Sequence, residues 1–102
     1  MKRALGISAL LLWLGLAPTV AEATVTTIYD IQMGLFEVGE EVTVEGVVVT
    51  ATGRFGFFIQ ELDPHPTWGR MNSGIWVYTN GDHLGNVARG DMVDVTGAYE
   101  EY

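Results

Sequence analysis

The residues most able to do chemistry in this sequence are aromatic, and they concentrate in two short stretches. FGFFIQE covers residues 55–61 and IWVYT covers residues 75–79, and both have the alternation of a strand. Rings in such strands either fill the core of a small domain or form a platform on which flat ligand groups stack. The alternation alone leaves both interpretations open.

Alternation divides the two stretches into opposite faces. In the first stretch Phe57 points to one side, whereas Phe58 and Gln60 point to the other, and in the second stretch Trp76 and Tyr78 share a side. Trp76 and Tyr78 are the stronger candidates for a solvent-facing platform, because an indole N–H or a phenol O–H tolerates water.

The loop between the two stretches, LDPHPTWGRMNSG, adds one more ring and one positive charge. Trp68 in this loop is the ring that we expect to be most exposed, and Arg70 lies beside it. Arg54 precedes the first stretch, so two guanidinium groups flank the same strand at opposite ends. The candidate ligand-binding residues are Arg54, Phe58, Gln60, Trp68, Arg70, Trp76 and Tyr78.

Metal ligation and catalysis have weaker support. Calcium needs several oxygen ligands that are closely spaced, and zinc needs a tighter set of histidines and carboxylates than this chain has. There is no cysteine nucleophile, and Ser73 lies in N-S-G rather than in G-x-S-x-G. We therefore predict no metal, no cofactor and no enzymatic activity. The scattered polar donors are Glu40, Glu41, Asp63, His65, Asn80, Asp82 and His83.

Short strands with glycine punctuation must position these side chains. EVTVEGVVVTAT begins at Glu41 and predicts a strand whose alternation puts Val44 and Val48 on one face. Gly46 in its middle predicts a bulge. The pattern is typical of an all-β barrel. Further strands are predicted over residues 55–62, 74–79 and 91–99, and residues 24–31 are β-prone.

The first 23 residues have the layout of a secretory signal peptide. A basic KR head precedes an apolar run over residues 4–16, and an A-x-A motif ends at Ala23. The apolar run is shorter than the ~20 residues that span a bilayer, which favours a cleaved signal helix over a membrane anchor. We expect a secreted or periplasmic domain over residues 24–102 that has no membrane association after cleavage.

The charge of the chain limits its partners. The net charge is −8, and removal of the first 23 residues leaves three arginines against twelve carboxylates, hence about −9, with no lysine. Proteins that grip phosphates without sequence preference do so with lysine and arginine, so this surface repels polyanions. Stacking must then dominate any binding to nucleic acid.

Four motifs in succession give the sequence a family resemblance. VGEEVTVEGVVVTA, GFFIQE, NSGIWVYT and VARGDMVDVTGAYEEY resemble the OB-fold modules beside the catalytic domain of large bacterial extracellular nucleases and related secreted multidomain proteins. The similarity covers residues 27–102. It implies a Greek-key barrel that binds single-stranded nucleic acid across its second and third strands, with a catalytic nuclease domain or another protein as partner. The catalytic domain itself has no counterpart in these motifs.

Two features of the sequence differ from what that resemblance implies. The family's barrel closes with a fifth strand after the one that ends near Tyr99, whereas this sequence ends at Tyr102. Either residues 24–31 take the place of the fifth strand, or the OB-like barrel is incomplete and its domain is truncated at the C-terminus. The acidic charge also favours an alternative function, an interaction module for proteins or glycans of the cell envelope, aided by calcium.

Overall fold

Six strands and one short helix make up the described part of the chain, which comprises residues 3–11 and 23–102 of a computed structural model. Within those residues no helix has the length and apolar character needed to cross a membrane. The strands are β1 (Arg3–Leu11), β2 (Thr24–Thr26), β3 (Glu41–Gly53), β4 (Gly56–Gln60), β5 (Gly74–Tyr78) and β6 (Met92–Glu101), and the helix is α1 (Ile28–Gln32).

Five of the strands close into a barrel. The strands β3, β4, β5, β1 and β6 pair in that order, and β6 pairs back with β3. Only the β1–β5 pairing within this ring is parallel, and β2 pairs in parallel with the first half of β3. The predicted all-β, OB-like barrel is confirmed, and the expected gap of a missing fifth strand is closed.

The closing strand comes from the N-terminal segment. Residues 3–11 form β1 rather than part of the expected signal helix, and residues 12–22 of that helix lie outside the described residues. Residues 24–31, the expected substitute, instead supply β2 and most of α1. Thr27 begins the helix, because its side-chain oxygen accepts a hydrogen bond from the Asp30 backbone N–H at 3.2 Å. Cleavage after Ala23 stays a prediction.

A bulge in β3 decides which valines enter the core. The pairing of β3 with β6 slips between Val44 and Val47, and Gly46 has a φ of 63°. Its N–H donates to an Asp94 carboxylate oxygen at 2.8 Å, which holds the bulge. The predicted bulge is confirmed. The prediction that Val44 and Val48 share a face is wrong, because the bulge shifts the alternation by one residue. Val47 is therefore buried like Val44, and Val48 is half-buried.

The barrel interior is filled by aliphatic side chains around two aromatic rings, Phe57 and Tyr99, both with no exposed area. The helix α1 contributes to the same cluster through Ile28 and Ile31. Leu5 of β1 is also fully buried there. The core therefore joins the N-terminal strand to every other strand of the barrel.

Candidate functional site

Three aromatic rings lie side by side on the outward face of β4 and β5. Phe58 pairs directly with Trp76, and Tyr78 lies further along β5, opposite Gly56. Phe58 and Trp76 are half-buried and Tyr78 is 45% exposed, whereas Val77 between them is buried. The predicted alternation is confirmed. We call Phe58, Trp76 and Tyr78 the aromatic platform.

Two glycines leave room for two of the platform rings, Phe58 and Trp76. A Cβ atom at Gly74 would be 2.5 Å from Phe58 Cε1, and one at Gly56 would clash with the Val77 carbonyl oxygen and lie 2.9 Å from Trp76 Cζ2. Each ring thus crosses the neighbouring strand at the position where that strand has no side chain. The platform is therefore held by backbone contact below, while its upper faces remain partly open to solvent.

Of the clefts that border the platform where β1 and the end of β6 meet β5, two contact Trp76. The larger, about 520 Å³, lies between the platform and Arg3, Gln32 and Tyr102. The smaller, about 340 Å³, lies between the platform, Glu100 and Tyr102. Sequence reasoning missed these neighbours. The sequence predicts Arg3 to be part of the signal peptide, whereas alternation along the strand predicted at residues 91–99 could have placed Glu100 on the face opposite Tyr99.

The two predicted arginines do not converge on the platform. Arg54 lies at the β3–β4 turn with its guanidinium carbon 5.4 Å from the centre of the Phe55 ring. Arg70 lies in the loop after β4 and donates to the Leu62 carbonyl at 3.2 Å. They flank β4 at opposite ends, as the sequence indicates, so each can reach only one end of a bound polymer.

The loop ring Trp68 is less exposed than predicted. It stacks on His65 with ring centres 4.0 Å apart and planes 11° apart, and it is half-buried. His65 is fixed in turn, since its Nδ1 accepts from the Thr67 backbone N–H at 3.0 Å. The exposure prediction was therefore wrong, because the loop supplies its own stacking partner. Gln60, by contrast, borders the platform and donates to Ser73 Oγ at 3.0 Å.

The second histidine has a structural role. His83 is 1% exposed, and its Nε2 lies 2.6 Å from the Gly53 carbonyl oxygen. Since a carbonyl only accepts, Nε2 carries the proton, and Nδ1 accepts from the Thr79 hydroxyl. In the described part of the chain, no three histidine, cysteine, aspartate or glutamate side chains come together as a metal site.

Two side chains with a raised pKa, Glu61 and Tyr99, lie outside the platform. Burial raises the pKa of the Glu61 carboxyl, although the hydrogen bond that it accepts from the Ile28 N–H at 3.1 Å lowers it. Burial and the hydrogen bond donated to Glu101 raise the pKa of the Tyr99 phenol. Glu61 accepts a hydrogen bond from the first residue of α1, and Tyr99 of β6 donates to Glu101 of the same strand.

No protein-family model, no curated protein and no solved structure matches this chain. The class that the geometry defines is an OB-like β-barrel with an outward aromatic platform. The resemblance to modules of extracellular nucleases stays a prediction.

Proposed function

We propose that the protein is a non-catalytic binding module whose aromatic platform stacks on the bases of single-stranded nucleic acid. The observation that supports this most is that Phe58, Trp76 and Tyr78 lie together on the outward face of β4 and β5. Every base has a flat π-face, and each base–aromatic contact contributes ~1–3 kcal/mol. OB-folds bind oligonucleotides on this part of the barrel.

We also propose that the first 23 residues export the chain and that the domain acts in a secreted or periplasmic location. There it presents single strands to a nuclease domain, on the same or another chain, that carries out the reaction.

Fluorescence anisotropy with a labelled single-stranded oligonucleotide tests the platform. Trp76→Ala and Tyr78→Ala should each weaken binding roughly 5- to 150-fold, which corresponds to ~1–3 kcal/mol per stacked base. Phe55→Ala is the matched control, because it removes a ring that is 52% exposed but lies outside the platform. Unchanged affinity in both platform variants, with folding confirmed by circular dichroism, would reject the proposal.

One observation favours the second candidate, an acidic interaction module for proteins or glycans. Glu100 lines the smaller cleft beside Tyr78 and Tyr102, and its carboxylate repels phosphate while it accepts hydrogen bonds from sugar hydroxyl groups. Binding titrations with a neutral oligosaccharide and with the oligonucleotide, each with and without calcium, separate the two candidates. Binding of the oligosaccharide but not of the oligonucleotide would favour the glycan.

A further inference from the structure

The strand β1 fills a gap between β5 and β6. It pairs with β5 at three positions, in parallel, and with β6 at eight positions, antiparallel. Without β1, both neighbours would present unpaired backbone N–H and C=O groups, which bind extended chains readily. We call this gap, between Gly74–Tyr78 and Met92–Glu101, the β5–β6 slot.

The slot selects the sizes of the side chains that enter it. Leu5 points into the core and has no exposed area, and Ala4 is 1% exposed beneath the outer rings. A Cβ atom at Gly6 would lie 2.9 Å from Glu100 Oε1, which ends an exposed, flexible side chain that can move aside. A segment in the slot therefore needs a small residue followed by a large apolar one.

The slot also selects a positive charge at the start of the segment. Arg3 Nε donates to the Tyr99 hydroxyl at 2.8 Å, and Nη1 donates to the Gln32 carbonyl at 2.7 Å. Arg3 Nε lies 3.7 Å from a Glu101 carboxylate oxygen, which itself accepts from Tyr99. The guanidinium thus ties the segment to α1 and β6 through complementary charge.

The residues that fill the slot are also those that export would remove. We propose that in the exported chain the β5–β6 slot is a strand-acceptor site, filled by an extended segment of another polypeptide with the basic–small–large apolar pattern of residues 3–5. This inference rests on the proposed export and not on the nucleic-acid ligand. A second copy cleaved at the same site lacks residues 3–5, so it cannot donate them.

A full-length chain with a specific protease site within residues 12–22 provides the test. The protein is cleaved after folding, unfolded in urea and refolded in excess labelled peptide of residues 1–12, so that the peptide and the original fragment compete for the slot. We expect native mass spectrometry to show one peptide per chain. Peptides with Arg3→Glu or Leu5→Asp should bind at least tenfold more weakly.

A peptide of identical composition in scrambled order is the control. Equal uptake of the scrambled peptide, no uptake of the native peptide, or failure to refold with either segment would each overturn the proposal. Intact mass of the exported protein supplies a second readout, expected to begin at Thr24, and retention of residues 3–11 would contradict it. No oligonucleotide takes part, so failure here leaves the platform proposal standing.

Discussion

Cross-strand contacts between rings and glycines shape the candidate site at the scale of single residues. Alternation in the sequence correctly predicts that Phe58 lies on the face opposite Phe57 and that Trp76 shares a face with Tyr78. It does not predict that Gly74 and Gly56 lie beneath these rings, because that depends on how β4 and β5 align. Register between strands is a non-local property, set by turns and by the buried face.

Gly74→Ala tests this packing. The added Cβ atom would lie 2.5 Å from Phe58 Cε1, so the ring must move off β5. We expect the free energy of unfolding in urea to fall by about 1–3 kcal/mol and oligonucleotide affinity to fall with it. In a Phe58→Ala background the loss should vanish. An equal loss in both backgrounds would show that the ring is not responsible.

Glu61 gives a pH dependence of defined sign. Its pKa is raised above 4.5, first by burial and also by the nearby Asp63 charge. The folded state therefore binds the proton more tightly than the unfolded state, and the contribution of Glu61 to stability decreases as pH rises from 4.5 through the raised pKa.

Glu61→Gln removes this titration but keeps an oxygen for the Ile28 N–H. Urea unfolding at about pH 5 and about pH 7 should show the variant gaining stability relative to the parent at the higher pH. A stability difference that is the same at both pH values would mean that Glu61 titrates normally.

At the scale of elements, the strands that alternate were predictable and the closing strand was not. The strands β3 to β6 each show an apolar and a polar face in part of their length. In β1 both faces are covered, since Leu5 faces the core and Ala4 lies under outer rings. A doubly buried strand has a continuous apolar run, which cannot be told from the apolar centre of a signal peptide.

Leu5→Ala in the full chain tests the placement of β1. Leu5 is fully buried, and removal of such a side chain destabilises a protein by about 2–5 kcal/mol. Leu35→Ala is the control, since that side chain is 67% exposed and its loss should change stability by less than about 0.5 kcal/mol. Similar urea midpoints for both variants would contradict a buried β1.

At the scale of the whole molecule, the negative charge opposes nucleic acid, whereas the aromatic platform favours it. Binding that depends on stacking rather than on phosphate contacts is compatible with both. The net charge of −8 opposes a polyanion. Arg54 and Arg70 lie at opposite ends of β4, and Arg3 is bound to internal oxygens. Phosphate contacts can therefore contribute little to affinity, and the rings must supply most of it.

The dependence of oligonucleotide affinity on salt should accordingly be weak. Neutralising two phosphates of a single strand corresponds to a slope of roughly −1.4 in a plot of log K against log salt concentration. We expect a slope no steeper than that across an anisotropy series. A slope steeper than about −3 would require more phosphate contacts than the dispersed arginines provide.

The most direct measurement follows the indole N–H signals by NMR during titration with a single-stranded oligonucleotide. The chain has three tryptophans, Trp13, Trp68 and Trp76, and single Trp→Phe variants assign them. We predict that the Trp76 signal shifts in proportion to occupancy, while that of Trp68, stacked on His65, stays in place. An unchanged Trp76 signal at saturating oligonucleotide would contradict the platform as the binding surface.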